Sequence, residues 1–164
     1  PWSADFAGAP VFVQDSLRVT GNIRVDNDID CNGSIDVLRN LTVHGSKSFI
    51  TDHPLKENMW LLHSAVEGPE NAVFYRGQGR LSAGRVEVVL PDYFEALTRV
   101  EDRTVQLTAR GTQPFLLSAS GVEDGRFTVY GSLPEGEFYW EVKAVRSDIE
   151  ILQVEREKDP ENEY

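Results

Sequence analysis

From Val11 to Val43 the aliphatic residues come in pairs two positions apart, and the pairs recur every six residues. They are Val11/Val13, Leu17/Val19, Ile23/Val25, Ile29/Cys31, Ile35/Val37 and Leu41/Val43, with one cysteine in an aliphatic place. A spacing of two puts both members of a pair on one face of an extended strand. Four positions after the first member of each pair stands Asp15, Gly21, Asn27, Gly33, Arg39 or Gly45. All but Arg39 are residue types that tolerate turn or left-handed backbone geometry. A period of six drifts around a 3.6-residue helix without forming a stripe, so the pattern predicts short extended segments separated by turns.

Two ways of burying such a ladder are open. A single chain can wind into a left-handed β-helix with roughly three hexapeptides per coil, but six repeats then give only about two coils, few for a solenoid that is stabilised by stacked neighbours. Alternatively, three copies gather around a common axis, each turning its apolar pairs toward the other two. Full burial of one such side chain is worth about 1.5–3 kcal/mol, so the trimer is the favoured expectation. The same beat suits a bactofilin-like β-helix that stacks end to end into filaments. Asp26, Asp28 and Asp30 alternate with the apolar set and Asp36 follows. They form a solvated face that discourages strand pairing. Carboxylates are also the ligand type for calcium, but no EF-hand loop is present.

After Ser46 the beat stops and aromatic residues become dense. Strand-like runs are expected near Met59–Val66, Val73–Arg76, Arg85–Leu90, Thr104–Arg110, Phe115–Ala119, Arg126–Tyr130 and Glu137–Val145. Breaks are expected at Glu67–Pro69, Gly77–Gly79, Gly121–Gly125 and Leu133–Gly136. Pro91–Leu97 reads as one helical turn. The fold class is therefore all-β: a trimeric β-helical or β-prism-like stalk, then an antiparallel β-sandwich or open-barrel head. The expected organisation is a linker over 1–10, the stalk over 11–45, the head over 46–152 and a charged flexible tail over 153–164.

The run Lys47-Ser48-Phe49-Ile50-Thr51-Asp52-His53-Pro54-Leu55, followed by His63-Ser64-Ala65-Val66-Glu67-Gly68-Pro69-Glu70 and Leu90-Pro91-Asp92-Tyr93-Phe94-Glu95-Ala96-Leu97, resembles a module of phage tail fibres and related bacterial surface proteins. The likeness resumes in Phe127–Gly131 and Phe138–Arg146, and spans roughly 45–148. In that family the module often follows repeats of the kind seen in Leu41-Thr42-Val43-His44-Gly45. The resemblance implies a trimeric, β-rich fibre segment in a virion tail or on a bacterial surface, and carries no catalytic residue.

Composition narrows the function further. Sixteen basic and 27 acidic residues give a net charge of −11, which argues against nucleic-acid binding and attachment to anionic membranes. No apolar run approaches the roughly 20 residues of a membrane span. The chain begins at Pro1, which reads as a fragment or processed product. With Cys31 the one cysteine, an internal disulfide and a cysteine zinc site are excluded.

Catalytic patterns are sparse. His44, His53 and His63 lack metal-ligand spacing, so neither a metal nor a cofactor is expected. His44 in a hexapeptide repeat is also a feature of β-helical acyltransferases, which have many more coils. Ser46 and Lys47 are adjacent, so on a strand they face opposite ways and make no nucleophile pair. Among 27 acids a carboxylate pair for sugar hydrolysis is conceivable, since sequence spacing sets no distance. Trp60, Tyr75, Tyr139 and Trp140 are candidates for stacking on sugar rings, against the alternative that they fill the core. The expectation is a non-enzymatic homotrimeric attachment protein whose partner is a cell-surface glycan or protein receptor, with a filament protein and a polysaccharide-active tail spike as rivals.

Overall fold

The computed structural model describes residues 13–155. Val11, the linker over 1–10 and most of the expected tail (156–164) lie outside the described residues. The chain divides into two units, Pro1–Leu41 and Thr42–Tyr164.

From residue 13 to 47 the backbone forms neither helix nor paired strand, with bends at 14–15, 20–21, 26–27, 32–33, 38–39 and 44–45. The second residue of each bend is Asp15, Gly21, Asn27, Gly33, Arg39 or Gly45, so the six-residue beat of the sequence is the beat of the backbone. No backbone hydrogen bond joins residues 13–46 to one another. A single-chain β-helix would ladder each coil onto the next, and that arrangement is absent from the described residues. Too few coils exist to shelter each other's apolar face.

In the second unit every strand among the described residues pairs antiparallel. Strands β1 (Ser48–Asp52) and β2 (Trp60–Ser64) form a two-stranded sheet in register Ser48↔Ser64 to Asp52↔Trp60. β3 (Ala72–Leu81), β8 (Gly136–Val145) and β5 (Thr104–Arg110) form a three-stranded sheet with β8 in the centre. β4 (Arg85–Val89), β7 (Arg126–Gly131) and β6 (Leu117–Ala119) form another, with β7 central. Neither three-stranded sheet closes into a barrel. Alternation along each strand supplies a shared core: Leu81, Val88, Phe127, Val129, Phe138 and Val142 are buried together with Phe94. Asp124–Gly125, both at positive φ (50° and 67°), make the two-residue turn that leads into β7 across the Glu123↔Arg126 bridge.

Two expectations need correction. Gly77–Gly79 is not a break: β3 runs through it to Leu81. Gly77 is opposite Trp140 and Gly79 opposite Phe138. A Cβ on Gly77 would stand 2.5 Å from Trp140 Cζ2, so the glycines make room for the large rings of β8. Ser48–Asp52, outside the expected strand runs, forms β1, with Phe49 stacked on His63. The expected helical turn is present as α1 (Phe94–Leu97), opened by the Phe94 N–H donating to the Pro91 carbonyl at 2.9 Å.

The glycine packing is testable. Gly77→Ala should destabilise the head by about 1–3 kcal/mol through overpacking against the indole. Gly121→Ala, with no atom within 4 Å of the new methyl, should leave the urea midpoint unchanged; equal midpoints for both variants would contradict the packing.

Candidate functional site

The segment over 13–47 presents its apolar ladder to solvent. Leu17, Ile23, Ile29, Ile35 and Leu41, the first members of five pairs, are 68–73% exposed, and their partners Val19, Val25, Val37 and Val43 are 43–47% exposed. Val13 and Cys31 are exposed too. These side chains make a period-six apolar strip that is left uncovered among the described residues. Asp26, Asp28, Asp30 and Asp36 are exposed as well, Asp26 accepting from Arg24 Nε at 3.0 Å. Among the described residues no three His, Cys, Asp or Glu side chains converge as a metal site would require.

In the head, the outer face of the β3–β8–β5 sheet is built from register rows. Arg76, Glu141 and Gln106 make one row, and Gln78, Tyr139 and Thr108 the next. Alternation turns these six outward while Tyr75, Val142, Val105 and Leu107 face the core. A groove of about 500 Å³ lies over the two rows. Tyr139 is half exposed. Arg110 reaches from β5 across the Tyr139 ring, its guanidinium carbon 5.4 Å from the centroid, and donates to Gln78 Oε1 at 3.2 Å.

The four aromatic candidates are thus not one site. Tyr139 is on this groove. Trp140, its neighbour, turns to the interior and meets Phe127 edge-on at 5.8 Å, because consecutive strand residues face opposite ways. Tyr75 also turns inward, edge-on to Phe94 at 5.5 Å and bonded through its hydroxyl to His63 Nε2 at 3.0 Å. Trp60 is 75% exposed on β2, beside Leu62 and Ile50 on the outer face of the small sheet. Arg76, Gln78, Gln106 and Thr108 were missed by sequence reasoning; outward alternation along β3 and β5 was the available signal, hidden by the misread glycine pair.

The histidines serve the fold. His53 is buried, accepts the Leu55 N–H on Nδ1 at 3.1 Å, and so turns the chain between β1 and β2. His63 stacks on Phe49 with ring centroids 5.3 Å apart, and Arg146 covers Phe49 at 3.7 Å. His63 Nδ1 is buried without a partner. His44 is an exposed bend residue. Lys47 Nζ pairs with Glu67 at 2.5 Å, engaged away from any role beside Ser46.

Burial, reinforced by the Arg146 charge and opposed by Asp148, holds the His63 pKa below its ordinary 6.5. The folded state then binds fewer protons than the unfolded state between these two values. Stability is complete above about pH 6.5 and falls as pH drops toward the lowered folded pKa, by at most about 1.4 kcal/mol per pH unit. His63→Phe should flatten the dependence of the urea midpoint between pH 7 and 5.5. An unchanged slope would contradict the assignment.

No protein-family model matches the chain. No curated protein matches it, and no solved structure does.

Proposed function

We propose that the chain is a non-enzymatic segment of a homotrimeric fibre of the phage tail or tail-like kind, in which the stalk sets length and three-fold symmetry and the head meets the host surface. The observation that carries this reading is the exposed apolar strip from Val13 to Val43, repeated with a six-residue period and left uncovered among the described residues. Contiguous apolar surface of this extent marks an association site. Three identical strips around an axis satisfy one another, and such a closed assembly ends at three. The alternating aspartates then lie on the outside, where they oppose lateral pairing of trimers. Three heads on one stalk turn weak surface contacts into firm attachment through effective concentration.

Electron microscopy across a hundredfold range of protein concentration tests the reading. Rods of one fixed length, each ending in a head, are expected at every concentration. Filaments that lengthen with concentration would replace the fibre with a bactofilin-like polymer.

A further inference from the structure

We infer that the groove on the outer face of the β3–β8–β5 sheet binds an anionic saccharide, held between the Tyr139 ring and the Arg76 guanidinium. The inference takes its setting from the attachment role proposed above, but the groove is complete within one head and draws on no second copy.

Its volume of about 500 Å³ falls in the range of small-ligand sites, about 300–1,000 Å³. The side chains around it suit a sugar. A pyranose presents an apolar C–H face and a rim of hydroxyls that both donate and accept. Tyr139, 48% exposed at the groove, offers a flat apolar platform with a polar edge. Gln106 offers an amide able to donate and accept, Gln78 an amide N–H beside the oxygen that accepts from Arg110, Thr108 a hydroxyl and Glu141 an acceptor. An unstructured peptide would instead seek the open backbone of a sheet edge, whereas these groups converge on the middle strand.

Charge selects the class of sugar. Of the cations on this face, Arg80 pairs with Glu135 at 2.6 Å, Arg110 with Glu137 at 3.6 Å and Lys143 with Glu141 at 3.1 Å. Arg76 makes no ion pair among the described residues, and it lines the groove one register row from Tyr139. A guanidinium fork grips a carboxylate or phosphate through two parallel hydrogen bonds. The outward positions of these three strands carry four cations (Arg76, Arg80, Arg110 and Lys143) and two anions (Glu137 and Glu141). On a chain of net charge −11, this face is locally positive and attracts an acid that the rest of the surface repels. Glu141, the acid nearest Arg76 in register, is offset by Lys143.

The test is a glycan array carrying matched neutral, carboxylated and phosphorylated oligosaccharides, probed with the full chain while its molar mass is recorded on the same sample. Retention on acidic spots, weakened by 0.5 M salt and absent from the neutral partners, is expected; the carboxylated and phosphorylated arms tell which acid is read. Arg76→Gln and Tyr139→Ser should each lower the apparent affinity at least tenfold. Because Arg76 makes no ion pair, its variant should keep the wild-type circular dichroism, which keeps the test valid if Tyr139→Ser fails to fold. Equal retention on neutral spots, no retention on acidic ones, or full binding by Arg76→Gln overturns the site. A trimer that binds no acidic sugar overturns the site and leaves the fibre standing; a monomer that binds them does the reverse.

Discussion

Ile29→Asp should convert the assembled protein into single chains while leaving the head folded. Ile29 is 70% exposed in one chain, so a carboxylate there costs an isolated chain almost nothing. In the proposed trimer the substitution would place three carboxylates near the axis with no partner, and each unpaired buried charge costs several kcal/mol. The loss of mass is therefore specific to association. Asp30→Asn, adjacent and on the opposite face of the same segment, should leave the mass unchanged. Gel filtration with near-UV circular dichroism checks both. An Ile29→Asp variant of wild-type mass would remove the axial placement of the ladder.

The second large effect is expected inside the head. Arg103, with 3% of its side chain exposed, forms two hydrogen bonds to Glu95, at 2.7 and 2.9 Å. Its Nε donates to the Arg99 carbonyl at 2.8 Å and its guanidinium lies 5.0 Å from the Phe94 ring centroid. Glu95 Oε1 also accepts the Gly125 N–H at 2.7 Å, so one ion pair joins α1, the start of β5 and the turn before β7. Glu95→Ala strands a buried guanidinium and should cost about 3 kcal/mol, the low end for a broken buried pair because Glu95 keeps about a third of its side chain in water. Arg103→Met should cost less, since Glu95 then keeps both water and Gly125. Urea midpoints at fixed subunit concentration measure the two; the reverse order would contradict the assignment.

The pair also has a pH signature. Hydrogen bonding from Arg103, opposed by partial burial and aided by the Gly125 N–H, holds the Glu95 carboxyl below its ordinary 4.5. Its contribution is complete above that value and is lost as pH falls through the lowered folded pKa. That loss begins only below 4.5, whereas the His63 loss begins at 6.5.

The six-residue repeat was the more legible part because its information is local. Each hexapeptide carries its own apolar pair and turn residue, and the bends fall at Asp15, Gly21, Asn27, Gly33, Arg39 and Gly45. In the head, runs such as Arg85–Val89, Thr104–Arg110 and Arg126–Gly131 were readable from β-branched and aromatic alternation. What escaped was set by partners distant in sequence. Gly77 and Gly79 look like a turn until Trp140 and Phe138 stand opposite them. Arg76 looks like any surface cation until Tyr139 and Gln106 are brought beside it, and Arg103 and Glu95 meet only because α1 folds back toward β5. Inward and outward aromatics divided by parity once strand bounds were known, which separates Tyr139 from Trp140.

Light scattering of the purified chain, over a range of concentrations at neutral pH, addresses the central claim without any variant. A constant molar mass near three times 18.4 kDa is predicted. A well-folded species of 18.4 kDa at every concentration would show that the exposed strip needs no companion copies, and would contradict the account.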